Sequence, residues 1–151
     1  MDYNVAMQKK GFVFMIIMSV DLGKARTGIA VCDKTEFLAS PYTVIFEKSP
    51  KALPNKVAQA AKDVKAELIV VGLPKNMDGT EGARAELCRE FAGKLEEATG
   101  LPVKMWDERR TTVEAHNILS QHNYHGKKRK DTVDAVAASL ILEGYLAFRG
   151  R

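Results

Sequence analysis

Three carboxylates are spaced as a site that holds a hard cation against a phosphate would need them. Asp21 ends an apolar run, Asp107 ends a second, and Asp134 follows a basic stretch at the start of a helical pattern. Mg2+ and similar ions take oxygen ligands, often one or two carboxylates completed by water and substrate phosphate. Acids gathered from separate strand ends therefore point to phosphodiester chemistry. In Asp21-Leu-Gly-Lys-Ala-Arg-Thr-Gly28 the acid precedes a turn whose glycines, Gly23 and Gly28, leave backbone open to close approach by a phosphate. An isolated Asp-x-Gly serves equally as a turn cap, so this motif gains meaning from the other two acids.

The second acid lies in Asp107-Glu108-Arg109. Asp107 is the first candidate ligand and Glu108 the alternative, because alternation along an extended segment points one of the two into a site and the other away. Arg109 offers a planar fork for phosphate or for the neighbouring carboxylates, although the tripeptide alone would also suit a surface ion-pair cluster. The third acid belongs to Asp131-Thr-Val-Asp134. Residues three apart share a helix face, and a helix starting at 131 would put both acids in its first turn, where the dipole favours them. Asp131 then reads best as the N-cap. Asp134 is followed by Ala135, Ala137 and Ala138, small enough to let a helix pack closely and bring its carboxylate toward the strand ends.

Candidate contacts to a nucleic-acid backbone surround these acids. Lys24 and Arg26 lie in the first turn, Lys75 and Asn76 in the loop Gly72-Leu-Pro-Lys-Asn-Met-Asp-Gly79, and Arg109 beside the second acid. Lys127, Lys128, Arg129 and Lys130 form a basic run just before Asp134. Each cation that neutralises a phosphate releases a counterion, which favours binding. A four-residue charge run elsewhere would be an ordinary solvated loop. His116, His122 and His125 show no metal-ligand pattern and read as surface or packing residues, and Trp106 reads as core.

The elements that must position these residues begin with three strands, over residues 12 to 21, 27 to 33 and 41 to 47. Their short separations suit hairpins and an antiparallel start. Helical spacing follows over 50 to 66, with Leu53, Val57, Ala60, Ala61 and Val64 on one face. A buried strand, Leu68-Ile-Val-Val71, comes next. A second helix is expected over 80 to 98, with Ala83, Leu87, Phe91, Leu95 and Ala98 inward and Gly100 as its stop. Residues 102 to 106 supply a fifth strand. Thr111 and Glu114 have capping-box spacing, predicting a helix to about 121. A polar loop over 123 to 130 and a final helix over 131 to 148 close the order, the latter with Val133, Val136, Ala137, Leu140, Ile141, Tyr145 and Phe148 inward. The sum is an α/β fold with a mixed sheet flanked by helices.

The chain has 151 residues, of which 46% are hydrophobic and 28% charged, a balance that suits one globular domain and excludes wholesale disorder. A net charge of +4 leans toward a polyanionic partner without requiring one. Cys32 and Cys88 sit in apolar stretches, as buried thiols of a reducing compartment would. Lys9 and Lys10 before an apolar run imitate a signal peptide, but Asp21 follows directly with no small-residue cleavage site. Residues 1 to 10 are expected to be a flexible extension and 11 to 151 one domain.

Together these motifs resemble the YqgF/RuvX family, Holliday-junction-resolvase-like proteins now usually regarded as pre-16S ribosomal RNA nucleases, in the ribonuclease H-like superfamily. The resemblance runs over about residues 15 to 146. It rests on Val20-Asp-Leu-Gly23 with Gly28-Ile-Ala-Val31, Val71-Gly-Leu-Pro74 with Asn76-Met-Asp-Gly-Thr80, Asp107-Glu-Arg109 with Thr111-Thr112, and Asp134-Ala-Val-Ala-Ala138. It implies a five-stranded sheet of order 3-2-1-4-5 with strand 2 antiparallel. It also implies a bacterial cytoplasmic location, a role in rRNA processing, and two Mg2+ or Mn2+ ions held by Asp21, Asp107 or Glu108, and Asp134. Pre-rRNA is then the favoured partner. The alternatives are branched DNA cut by a homodimeric junction resolvase and a non-catalytic nucleic-acid-binding module. Related junction resolvases carry an acid at the end of the fourth strand, where this chain has Gly72-Leu-Pro74, and Arg110 replaces a commonly apolar residue.

Overall fold

The computed structural model describes residues 14–36, 38–109 and 126–150, with the backbone alone over 126–132. Three strands, β1 (Ile17–Asp21), β2 (Arg26–Cys32) and β3 (Ala39–Phe46), run as an antiparallel meander. The chain continues through α1 (Leu53–Asp63), β4 (Leu68–Leu73), α2 (Ala83–Thr99), β5 (Val103–Asp107) and α3 (Gly126–Arg149). β4 pairs parallel with β1 and with β5, giving one mixed sheet of order β3-β2-β1-β4-β5. Order and direction match the expectation.

The two-residue period of the strands sorts the apolar residues onto two faces. Met18, Val20, Ile29, Ile69 and Val71 pack against Leu53, Val57, Phe91 and Leu95 of α1 and α2. Ile17, Ala30, Cys32, Leu68 and Val70 pack on the opposite face, against Ala138, Ile141, Leu142, Tyr145 and Leu146 of α3. Each large side chain fully enclosed here contributes about 1.5–3 kcal/mol relative to exposure. Both cysteines are buried free thiols, and burial pushes each up to about 11, which leaves them unreactive.

Three small residues let α3 lie close to the sheet. Ser19 is buried on the α3 side, and its hydroxyl donates to the Ala138 carbonyl at 2.5 Å. Gly28 stands opposite Asp21 in the β1–β2 register, and a Cβ there would sit 2.0 Å from the Asp134 carbonyl oxygen. A Cβ on Gly72 would sit 2.3 Å from Glu108 Oε2 and 2.6 Å from Ile141 Cδ1. A side chain at either position would push the helix or the acid away.

The structure corrects several expected boundaries. β1 begins at Ile17, not 12. α3 begins at Gly126, so 126 to 130 are helical and not loop, in keeping with the good helix propensity of Lys and Arg. Asp131 is therefore no N-cap, and α3 has no acid in its first turn. In α2 the buried face is Ala85, Cys88, Phe91, Ala92 and Leu95, rotated from the expected stripe so that Leu87 is 50% exposed. Phe148, expected inward, is exposed, but it lies against Trp106 with ring centroids 5.6 Å apart. Trp106 itself is half-buried, edge-on to Tyr145. The expected extension over 1 to 10, the helix over 111 to 121, Arg110 and the three histidines lie outside the described residues.

Candidate active site

Alternation decides which acids meet. Ser19 faces α3, so Asp21 at the end of β1 faces it too. On β5, Trp106 packs toward α3 while Met105 packs toward α1 and α2. The pairing of β5 with β4 extends one residue further, through the Glu108 N–H donated to the Leu73 carbonyl at 3.2 Å. Glu108 thus shares the side of Trp106 and Asp21, and the empty volume over Gly72 receives its carboxylate.

Asp21 and Glu108 are hydrogen-bonded to each other. Burial, then the charges of Glu108 and Asp134, push the Asp21 carboxyl up to about 8, against the opposing pull of Arg84. Burial also raises Glu108, while Arg84 and the hydrogen bond from Asp21 pull it down. Two carboxyls pressed together cannot both ionise cheaply, so they share a proton until a cation compensates them. Asp134 stands within electrostatic reach, its Oδ2 3.3 Å from Arg26 Nε.

Asp107, one residue away, has the opposite surroundings. Arg109 Nη2 lies 2.6 Å from its Oδ2, Nε lies 2.8 Å from the same oxygen, and the Arg109 backbone N–H donates to Oδ1 at 3.1 Å. These hydrogen bonds hold its carboxyl below the usual range. Of the pair at 107 and 108, the structure brings Glu108 to Asp21 and turns Asp107 to Arg109.

Among the described residues, no three Asp, Glu, His or Cys side chains are gathered closely enough to hold a metal ion. The donor chemistry nevertheless fits a hard divalent cation: burial raises the proton affinity of two adjacent carboxyls, and a third lies in reach.

The basic candidates form a broken rim. Lys24 is exposed in the turn after β1, and Arg26 pairs with Asp134. Asn76 is occupied in shaping its loop: its side-chain amide donates to Thr80 Oγ1 at 2.9 Å and its backbone N–H to the Thr80 carbonyl at 2.8 Å. Gly79 closes this loop with φ +88°, and a Cβ there would lie 3.9 Å from Arg109 Nη1, so loop and arginine share one edge. Lys75 is near enough to lower Asp107. Lys127, Lys128, Arg129, Lys130 and Asp131 have helical backbone, and their side chains lie outside the described residues.

A family model described as RuvX, Holliday junction resolvase, matches residues 15–148. The chain belongs to the RuvX family. A curated relative from Halothermothrix orenii, named "putative pre-16S rRNA nuclease", is 42% identical over 137 residues, covering 91% of this chain and 98% of the relative. One of the same name from Clostridium novyi is 42% identical over 132 residues, covering 87% and 98%. The fold is shared with a Fowlpox virus resolvase solved with Holliday junction DNA, at TM-score 0.59 and 13% identity, covering 91% of this chain and all of that one. It is shared too with Thermus thermophilus RuvC solved with a Holliday junction substrate, at TM-score 0.55 and 15% identity, covering 90% and 96%.

One residue of this RuvX site escaped the sequence reading. Arg84, in the first turn of α2, donates from its guanidinium to the Leu22 carbonyl, and its charge acts on both Asp21 and Glu108. Its position carried a signal: residues 84, 88, 91 and 95 fall on one helix face, and a cation at the head of the stripe Cys88, Phe91, Leu95 is out of place in a core.

Proposed function

We propose that this chain is a divalent-metal-dependent nuclease that hydrolyses phosphodiester bonds and processes the 5′ end of pre-16S rRNA in the bacterial cytoplasm. The observation that carries it is the Asp21–Glu108 carboxyl pair at the strand ends, both raised in proton affinity by burial and Asp21 further by the charge of Glu108, with Asp134 in reach. The choice of pre-rRNA rests on the names of the relatives. Among the described residues no helix is long and apolar enough to cross a membrane.

Asp21, Glu108 and Asp134 would hold Mg2+ or Mn2+, with Asp107 the alternative to Glu108. Two such ions would supply an activated water and charge stabilisation for the leaving oxygen. The protein's own groups do the rest. Asp21 and Glu108 would release their shared proton to solvent and serve as anionic ligands. Arg84 supplies fixed positive charge beside them, which draws in the phosphate. Arg26 orients Asp134 through their ion pair. Lys24, Lys75 and Arg109 contact the backbone, which gives affinity without reading sequence.

The test is cleavage of labelled pre-16S 5′-leader RNA and of a four-way DNA junction, side by side, with Mn2+, Mg2+ or EDTA. Metal-dependent RNA cutting supports the proposal. Junction-only cutting replaces it with a resolvase, which would act as a dimer to place two symmetric cuts. Cutting unchanged in Asp21→Asn would sink the site assignment.

A further inference from the structure

A second feature adjoins the acid pair on the opposite side of the β1 end. Leu22-Gly23-Lys24, the three residues after Asp21, form one wall of a cleft of about 280 Å³ between the β3–α1 connection and α2. Its floor is apolar, with Leu53 and Phe91 buried and Leu87 half exposed above them. Four cations stand around it: Lys24, Lys48, Arg84 and Lys94. Two carboxylates line it as well: Glu47 is held by Lys56 Nζ at 2.7 Å and by the Ser49 N–H at 3.0 Å, and Glu90 is exposed at the surface. An apolar slot lined by four cations against two acids, one of them already paired, has the chemistry to take a flat ring carrying phosphates at its edge.

We infer that this cleft seats one unstacked base of a single-stranded nucleic acid whose neighbouring phosphate lies at the acid pair. Three observations converge. The volume falls just below the ~300 Å³ at which small-ligand clefts begin, a size for one base and not for a duplex step. Lys24, Lys48 and Lys94 are exposed, as cations that meet the backbone of an inserted nucleotide would be. Arg84 belongs to both places: it lines the cleft, and its charge acts on Asp21 and Glu108, so the seat and the acids lie one short step apart. A base still paired in a duplex would have to be extracted first, at a few kcal/mol. The cleft therefore selects unpaired strand. This rests on the nuclease reading for the identity of the neighbouring phosphate, and deepens it by naming the strand type.

The experiment scans 2-aminopurine through a single-stranded RNA, position by position. Fluorescence is read on binding to Asp21→Asn in EDTA, while the wild type is assayed for cutting of the same RNA with Mn2+. One position, next to the cut, is expected to change emission as its base leaves its neighbours. An abasic site there, or Leu87→Glu in the protein, is expected to weaken single-strand binding roughly tenfold, the scale of one seated base. Binding of a blunt RNA duplex is expected to be unchanged by Leu87→Glu. Uniform emission at every position, or equal weakening of single strand and duplex, overturns the inference. Cutting without a seated base removes the cleft alone, a seated base without cutting removes the nuclease alone, and neither signal removes both.

Discussion

An acid stands at each end of β1, and the two have opposite surroundings. At the start, Glu36 is completely enclosed, accepting the Met15 N–H at 2.7 Å and Arg149 Nε at 2.8 Å. These contacts hold it in the left-handed region at φ +57°, a backbone cost of about 1–3 kcal/mol for a residue with a side chain. At the far end, Asp21 meets another carboxyl, with Arg84 as partial relief. The first acid has its counter-charge within the chain and works as a clasp joining β1, the β2–β3 turn and the end of α3. The second is left short of positive charge, the condition that makes a site receptive to a cation from solution.

The largest way to break this contrast is Asp21→Asn, expected to lower cleavage by about 1000-fold or more, since several kcal/mol of charge stabilisation is lost. The same change should stabilise the metal-free protein. Folded Asp21 keeps its proton up to about 8, whereas an unfolded Asp releases it near 3.8. The native state thus binds more protons across that window, and stability falls as pH rises through it, levelling off above. Thermal melts in EDTA should show the Asn variant gaining most at pH above about 8, and divalent ions should flatten the wild-type slope.

Next in size, Glu36→Ala should cost about 3 kcal/mol in urea unfolding, because Arg149 loses its buried partner, while cleavage per folded molecule stays unchanged. Glu108→Gln should reduce kcat by about 100-fold, as the loss of one charged ligand implies. The smallest effect is expected for Asp107→Asn, about tenfold or less and mainly in KM, since it releases Arg109 and reaches the pair only through its charge on Glu108. Equal losses at 107 and 108 would erase the distinction drawn from strand alternation.

The fold was legible because its signals are periodic. The meander, the buried strand over 68–71 and the glycine stop at Gly100 all follow from local patterns, and the structure has each. Asp21 and Glu108, two of the acids singled out from the sequence, meet in the structure, but no local pattern gave their pairing. Which of Asp107 and Glu108 meets Asp21 depends on one more residue of β4–β5 pairing, which no local pattern encodes. For Asp134 the small residues after it do lie close to the sheet, as Ala135 and Ala138 are buried. But α3 starts five residues earlier than expected, and the close approach also needs the missing side chain of Gly28, a contact between residues more than 100 apart. Arg84 was hidden by a helix face misjudged by one position.

Gly72 carries a consequence for how such a site can change. Glu108 Oε2 fills the space that a side chain on Gly72 would need, so β4 and β5 compete for a single carboxylate's worth of room. Gly72→Asp alone would crowd out the acid it duplicates, and Glu108→Gly alone would leave a hole. Moving the acid between strands with neither crowding nor a hole takes both substitutions together, so neighbouring solutions to the same chemistry are separated by a two-step crossing.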